Sequence, residues 1–413
     1  MFDQTMVGCA VVIALVMGGP ARVLAQETKT AAAPSTLTEA DVIRLSAVAE
    51  PALRVAQARV AQAQADAFAA TLLDNPTLQW QRDALVGSAG EAEDGLSISV
   101  PLDLSGRRSA RQALSRSRAE LGRAEVRLTR GAAAARALRA YHAAVAARQR
   151  VAIAQRAVQR LDEAARVLAA RHREGSVSGY DRLRLELELE LSRSRVQQAA
   201  AQERVARGTL GALLGTDVQP AQLPLQLASD PAVAPGDAVQ PRPSAQRMQQ
   251  AMSALTDADR ASESAWVPRI KLRGGLLLAT ADDTQLGYIA GIAVELPLLQ
   301  SGQELPREVG AQRAEVRERI AADAYTAEVD ARGASLQLEA ARAELSRLKA
   351  AVADRLDRLD AGALASYREG VRGLTELLDA QRTRTEVELH MLALHHAAKR
   401  AEVALRAARG ELQ

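Results

Sequence analysis

The chain has 413 residues, of which 48% are hydrophobic, 25% charged and only 2% aromatic, and its net charge is +3. The apolar residues are mostly Ala and Leu; with abundant Arg and Glu, this is the composition of long packed helices, and it excludes collagen, disulfide scaffolds and charge-driven disorder. Basic and acidic residues are interspersed, as on solvated helix faces, which argues against a nucleic-acid partner. The single cysteine, Cys9, lies in the leader, so the mature chain can form no disulfide and no Cys-ligated zinc site.

The N-terminal segment predicts export. An apolar stretch over 7–19 is followed by small residues that suit cleavage after Ala25, so 1–25 is predicted to be a signal peptide. Met6 is an alternative start, Cys9 is only a weak lipidation candidate, and 26–36 is a polar linker. No later segment has the roughly 18 apolar residues that a spanning helix needs. The exported chain is therefore expected to be periplasmic, secreted or an outer-membrane β protein.

The first structural repeat is predicted over 37–215. It opens with a helix that is interrupted near Pro51, and a β-hairpin follows at about 76–104, where apolar and polar residues alternate. The segment 107–173 contains no Pro and predicts one helix of about 100 Å, too long for a globular domain to surround. A Gly turn and a second helix, from about Tyr180 to Leu214, complete the repeat.

The same order then recurs after a Pro-rich linker over 216–243. The second repeat, 244–413, has a short helix, a hairpin at about 268–299, a long helix at about 303–368, a Gly turn and a last helix over about 374–412. The hairpin exit at 296–302 repeats the one at 100–106 with an offset of 196 residues. This duplication is the strongest feature of the sequence.

The two hairpins constrain the assembly. Each arm has about ten residues, which is the length that a tilted strand needs to cross a bilayer. Four strands cannot close a barrel, and strands in a membrane must close. We therefore expect an oligomer that shares one barrel in outer-membrane lipid; a homotrimer would give twelve strands, which suits the even strand numbers of such barrels. The predicted fold class is mainly α with a small β part.

A family resemblance rests on four local motifs and on the order of such motifs, which is repeated in the two halves of the chain. They are Asn75-Pro76, Leu102–Arg108, Glu174–Asp181 and Tyr367–Gln381. With them, the sequence from about Leu37 to Gln413 resembles the TolC family of outer-membrane efflux ducts. The resemblance implies a trimer whose outer-membrane β-barrel continues as a twelve-helix α-barrel in the periplasm. It also implies no enzymatic activity, no cofactor, and two protein partners: a periplasmic adaptor (membrane fusion protein) and an inner-membrane efflux pump of the RND type.

The resemblance places a periplasmic gate on five residues, Asp181, Tyr367, Arg372, Glu376 and Asp379. The last two are three apart on a helix and share a face, and a three-fold axis would turn each into a ring of carboxylates that favours cations. The family has Asp where Glu376 stands. The alternative interpretation is a solvated helix face.

The Gly turns at the helix tips are the candidate adaptor-docking sites. The residues concerned are Gly175, Ser178, Gly179, Gly370 and Gly373. The alternative is that they serve only to reverse the chain.

Three aromatic residues, Trp80, Trp266 and Tyr288, lie in or beside the predicted strands. In a barrel they would anchor the chain at the membrane interface; plain packing is the alternative.

Other polar residues are not assigned to a site. Glu186 and Glu190 share a helix face and are interpreted as ion-pairing surface rather than pore charge. The five histidines are scattered and predict no metal site: His142, His172, His390, His395 and His396.

The predicted function is the exit duct of a tripartite efflux system. The motifs Ser178–Asp181 and Asp103–Arg108 look most like the family branch that serves heavy-metal cation pumps. Drug efflux and type I secretion are alternatives within the fold. A periplasmic coiled-coil adaptor or scaffold is the alternative from another class, disfavoured by the two helical hairpins and the lack of other β domains.

Overall fold

Eight α-helices and one four-stranded sheet make up the described part of the chain. The computed structural model describes residues 36–84, 92–173, 177–227, 242–264, 266–280, 284–295, 303–352 and 354–413, all within one unit, Ser35–Gln413. The predicted signal peptide with Cys9, nearly all of the 26–36 linker, Gly175 and much of the 216–243 linker lie outside the described residues.

The order of elements is the same in the two halves. The first half contains α1 (Glu39–Ala49), α2 (Pro51–Ala69), β1 (Thr77–Ala84), β2 (Ala92–Leu102), α3 (Arg107–Arg173) and α4 (Gly179–Leu214). The second half contains α5 (Pro243–Ser262), β3 (Arg269–Thr280), β4 (Thr284–Glu295), α6 (Glu304–Val352), α7 (Arg355–Arg368) and α8 (Leu374–Ala408). A short 3-10 helix, Pro220–Gln222, follows α4.

Local chemistry explains where the first helices start and stop. Glu50 separates α1 from α2 because its side chain accepts the N–H of Ala52 at 3.3 Å and Pro51 occupies the first helical position. The helix interruption predicted at Pro51 is therefore confirmed. Gly215 ends α4 with a φ of 67°, a conformation that side chains other than Gly rarely adopt.

Two helix predictions in the second half are wrong in detail. The single helix expected over 303–368 is divided into α6, which ends at Val352, and α7, which begins at Arg355, with Asp354 as the N-cap residue of α7. The last helix ends at Ala408, short of Leu412. There Gly410 has a φ of 74°, and the Glu411 N–H bonds the Arg406 carbonyl at 3.0 Å.

The two hairpins join into one antiparallel sheet with the order β1-β2-β3-β4. β2 pairs with β3 along its whole length, from Ala92 opposite Thr280 to Leu102 opposite Ile270. The close approach requires Gly275, because a Cβ there would lie 2.3 Å from the Leu96 carbonyl oxygen. Strands β1 and β4 are therefore the edges of the sheet.

The exit from β2 into α3 is fixed by Asp103. Its carboxylate accepts the Ser105 N–H at 3.0 Å, the Ser105 hydroxyl at 2.6 Å and the Arg108 N–H at 3.2 Å. Gly106 follows with a φ of 67°. These contacts give a structural role to the motif that the sequence singled out.

Helix α3 is the central packing element, with contacts to α1, α2, α4, α5 and α8. Its 67 residues correspond to about 100 Å at 1.5 Å per residue. Its middle packs with α1, α4 and α8 around Leu138, Leu210 and Val403. Its N-terminal part packs with α5 and α6 around Leu121 and Leu255. Ala and Leu supply most of the apolar residues in these clusters, as the composition indicated.

A buried polar cluster connects α1 to α3 and α8. His142, which is only 3% exposed, donates to Glu39 at 3.2 Å, and Arg406 donates to Glu39 at 2.8 Å. The hydrogen bond from His142 lowers the pKa of Glu39, burial opposes this effect, and Arg406 lowers the pKa further, to about 2. Because the carboxyl normally titrates near 4.5, its ionised form stabilises the folded state.

We predict that Glu39→Gln loosens α1. The stabilisation from a lowered carboxyl pKa is complete above pH 4.5 and is lost as the pH falls towards 2. After allowing for solvent screening, it amounts to about 1–2 kcal/mol. Hydrogen-exchange protection of the α1 amides at pH 6 should therefore fall about tenfold in the variant. Glu125→Gln, which removes an exposed pair with Arg59, is the control; equal losses in the two variants would contradict the assignment.

Candidate functional site: the helical tips and the exposed sheet

The turn between α7 and α8 is a Gly-terminated helix end. Gly370 has a φ of 76°, its N–H bonds the Tyr367 carbonyl at 3.2 Å, and the Val371 N–H bonds the Ser366 carbonyl at 3.0 Å. This is the Schellman arrangement, which satisfies the last carbonyls of a helix. Gly373 then forms the N-cap of α8, so the two glycines have separate structural roles in reversing the chain.

The other tip is organised by the start of α4. The Ser178 hydroxyl accepts the Asp181 N–H at 3.2 Å and donates to the Asp181 carboxylate at 3.0 Å. The carboxylate also lies in the first turn, where the helix dipole stabilises negative charge. Gly179 is the first residue of α4. Ser178 and Asp181 thus cap this helix.

Tyr367 connects the two tips. It is 2% exposed, and the Arg171 guanidinium lies 5.1 Å from its ring centroid, within cation–π range. Arg171 also donates to the Tyr367 carbonyl oxygen at 2.7 Å. Burial raises the pKa of Tyr367; Arg171 opposes this, and the negative charge of Asp181 adds to it. Arg171 therefore holds the end of α7 against the end of α3.

The hydroxyl of Tyr367 is buried, and within the described ranges it has no hydrogen-bond partner. A buried hydroxyl without a partner costs free energy. The ring, rather than the hydroxyl, accounts for the contacts of Tyr367 inside one chain.

The predicted gate residues are only partly brought together. Asp181 and Tyr367 lie close enough to interact electrostatically, whereas the structure shows no ion pair between Asp181 and Arg372 among the residues it describes. Arg372 is exposed, and its N–H bonds the Ser366 carbonyl at 3.2 Å. Glu376 and Asp379 are exposed near the start of α8. Their role in a gate stays a prediction.

The two tips share one hydrophobic core. It includes Leu168 from α3, Leu185 from α4, Tyr367 from α7 and Leu377 from α8. Polar contacts cross the same boundary: Arg184 donates to Thr375 at 2.8 Å, and Arg368 pairs with Glu163 at 2.7 Å. The α3–α4 and α7–α8 hairpins are thus packed on each other within one chain.

An ionic network holds the divided helix near the tips. Arg384 of α8 pairs with Asp357 at 2.9 Å and Asp360 at 3.2 Å, both on α7, and with Glu388 at 3.1 Å. It also donates to the Leu356 carbonyl at 3.3 Å. From α3, Arg160 donates to Gln381 at 2.8 Å. The sequence did not single out these residues, because their pairing depends on which helices are neighbours.

Glu186 and Glu190 are ion-paired within α4. Glu186 pairs with Arg182 at 2.9 Å and Glu190 with Arg193 at 2.7 Å. These contacts agree with the interpretation as ion-pairing surface. In the part of the chain that is described, no three His, Cys, Asp or Glu residues are grouped so that they could hold a metal ion.

The sheet has two chemically different faces. Trp80, Leu96, Leu276 and Tyr288 stand opposite one another in a row across the four strands. All four are exposed, Trp80 by 65% and Tyr288 by 82%. Other large apolar residues share their face: Leu78, Ile98, Val100, Leu272 and Ile292. The face is therefore an apolar surface without a partner among the residues that the structure describes.

The opposite face of the sheet is mostly polar. Gln79 and Gln81 line it on β1, Arg273 donates to Ser97 at 2.9 Å, and Lys271 pairs with Glu295 at 2.5 Å. Such alternation is the pattern of strands with one apolar and one aqueous side. Trp266, 65% exposed, stands three residues before β3. No helix in the described ranges combines the length and the apolar character needed to cross a membrane.

Comparison with known proteins identifies the fold. No protein-family profile and no curated protein sequence matches the chain. CusC, studied for transmembrane channel formation, matches with a TM-score of 0.70 at 19% identity, over 90% of this chain and 92% of CusC. The outer membrane protein VceC of Vibrio cholerae matches with a TM-score of 0.67 at 16% identity, over 90% and 96%. The open state of the MtrE outer membrane channel of Neisseria gonorrhoeae matches with a TM-score of 0.67 at 17% identity, over 90% and 88%.

These matches establish that the chain has the fold of TolC-family outer-membrane channels. The resemblance predicted from the sequence is confirmed at this level, and so is the mainly helical fold class with a small sheet.

We predict opposite effects for two substitutions at the tip. Arg171→Met removes the cation from the Tyr367 ring and the donor to its carbonyl, and should lower the local free energy of opening by about 1–3 kcal/mol. Tyr367→Phe removes only an unpaired hydroxyl and should be neutral or stabilising. Hydrogen exchange over 361–378 measures both, with Arg173→Met as the control because the hydrogen bond that Arg173 makes among the described residues stays within its own helix, at Ala169. Strong loss of protection in Tyr367→Phe would contradict this account.

Proposed function

We propose that the chain is the exit duct of a tripartite efflux system, located in the outer membrane and extending into the periplasm. The single observation that carries the proposal is the sheet. Within the described residues its apolar face is exposed and its edges β1 and β4 are open, β2 leads into the long helix α3, and α6 is the next described helix after β4. An open edge in a bilayer leaves backbone groups unsatisfied, so membrane strands must close into a barrel.

In a homotrimer, the open edges of each sheet would pair with the edges of the neighbouring chains. Three copies place β4 of one chain beside β1 of the next and give twelve strands, an even number as in other outer-membrane barrels. The apolar faces then contact lipid, and the polar faces, with Gln79 and Arg273, line the lumen. The helices continue the wall as a twelve-helix α-barrel, and the protein has no catalytic role and no cofactor.

The aromatic residues fit the height of a membrane. Ten residues separate Trp266 from the row that contains Trp80, Leu276 and Tyr288, which is at most about 33 Å along an extended chain. Strands tilted by about 40° convert this length to about 25 Å, the usual height of the apolar band between two aromatic girdles. We propose that Trp266 anchors one interface and that Trp80 and Tyr288 anchor the other.

The tips are the proposed gate and docking surface. Asp181, Tyr367 and Arg372 would close the duct, Glu376 and Asp379 would form carboxylate rings that favour cations, and the Gly turns would receive the periplasmic adaptor. An inner-membrane RND pump would supply the energy. The proposed cargo is heavy-metal cations, based on the resemblance of the Ser178–Asp181 turn to that branch of the family.

The channel itself is tested in planar bilayers. The purified chain should form a detergent-extracted trimer that conducts ions, and Asp181→Ala with Arg372→Ala should raise the single-channel conductance several-fold because the tip opens. The control is the double variant Glu190→Ala with Arg193→Ala. It removes an exposed ion pair of α4 whose nitrogen–oxygen distance is 2.7 Å. A water-soluble monomer without conductance would refute the duct and favour a periplasmic adaptor or scaffold.

The cargo is tested in cells. Deletion of the gene should increase sensitivity to divalent metals such as zinc, cobalt, nickel, cadmium and copper, but not to drugs or detergents. Drug sensitivity alone would keep the duct and refute the metal cargo. If neither sensitivity changes in a strain whose protein conducts in bilayers, metal efflux is refuted and type I secretion is favoured.

A further inference from the structure

A basic pocket lies between α2, α3 and α5, away from the tips and the sheet. Its volume is about 310 Å³. Four arginines line it, three from α3 and one from α5, together with two residues of α2: Arg123, Arg127, Arg130, Arg247, Gln57 and Val60. No carboxylate is among the residues that line it.

The walls of the pocket are set by a close helix contact. A Cβ at Gly122 would lie 2.9 Å from Cγ2 of Val60 and 3.7 Å from its Cα, so α2 lies close against α3 and a larger residue at 122 would require the Val60 side chain to move. The next residue, Arg123, begins the basic side of the pocket. The concave shape is therefore a consequence of how the helices pack.

The arginines repel one another unless a counter-ion is present. Arg123, Arg127 and Arg130 follow at spacings of four and three, and like charges at these spacings destabilise a helix. One carboxylate, Glu120, contacts Arg123 and also accepts from Arg247, at 3.1 Å. Within the described ranges, Arg127 and Arg130 have no ion pair. Among the residues that the structure describes, one carboxylate thus stands against the four arginines of the pocket.

We propose that this pocket binds a small phosphate-bearing anion. Guanidinium groups match phosphate oxygens with paired charge-assisted hydrogen bonds, and a multiply charged anion can neutralise several arginines at once. Residues 123–130 follow the start of α3 by 16 to 23 positions, which is about 24–35 Å along the helix. This distance from the sheet favours a soluble anion over a lipid headgroup.

The test is calorimetric titration of the full-length chain, as purified in detergent, with inorganic phosphate and with pyrophosphate at constant ionic strength. The wild type should bind one anion per chain. Arg127→Gln with Arg130→Gln should weaken binding at least about tenfold. Arg116→Gln with Arg139→Gln removes the same charge from exposed positions of α3 outside the pocket and should change the affinity less than about twofold.

A second measurement separates binding from general charge effects. In low-salt buffer without phosphate, the Arg127/Arg130 variant should melt at a higher temperature than the wild type, because repulsion is removed, and phosphate should stabilise only the wild type and the control variant. Absence of phosphate binding by the wild type, or equal losses in both double variants, overturns the proposal. Binding to phosphatidylglycerol vesicles without any response to the free anions also overturns it.

Discussion

The structure depends on one constraint, namely that the four-stranded sheet cannot be satisfied inside a single chain. In the described part of the chain, its edges β1 and β4 are unpaired, and its apolar face, with Trp80 and Tyr288 in one row, has no partner. Proteins protect open strand edges and large exposed apolar faces by covering them with further strands, with other chains or with lipid. The sheet leads through Asp103–Gly106 into α3, whose 67 residues correspond to about 100 Å.

The pairing of β2 with β3 makes the duplicated sequence one folding unit. The two repeats could each form a hairpin, but the central ladder joins residues that are about 180 positions apart, as Leu96 and Leu276 are. The helices repeat this pattern, because α3 of the first repeat packs on α5 and α8 of the second. At the far end Arg171 of α3 contacts Tyr367 of α7. Both repeats therefore contribute to the sheet, to the packing around α3 and to the tips.

The sequence predicted those features that depend on local chemistry. The bounds of α3 and β3 follow from periodicity and from the Gly and Pro residues that flank them, and the end of α4 follows from Gly215. The features that depend on tertiary neighbours were not predicted. No Gly or Pro in the sequence marks the division at Asp354. Arg171 cannot be distinguished from the other arginines in the sequence, because its contact with Tyr367 depends on α7 being its neighbour. Likewise, the local pattern predicts two hairpins but not their union through Gly275, where a strand passes too close for a side chain.

The distribution of arginine links these observations. With few aromatics and almost no lysine, the chain uses Arg to join helices whose apolar contacts are made mostly by Ala and Leu. Arg171, Arg384 and Arg406 each contact carbonyls or carboxylates of a neighbouring helix, and a planar guanidinium suits this because it can donate in several directions. Where α2, α3 and α5 meet, the arginines outnumber the carboxylates that pair with them. Within the described residues Arg127 and Arg130 have no ion pair, and the proposed anion would supply from outside the chain the partner that the neighbouring helices do not provide.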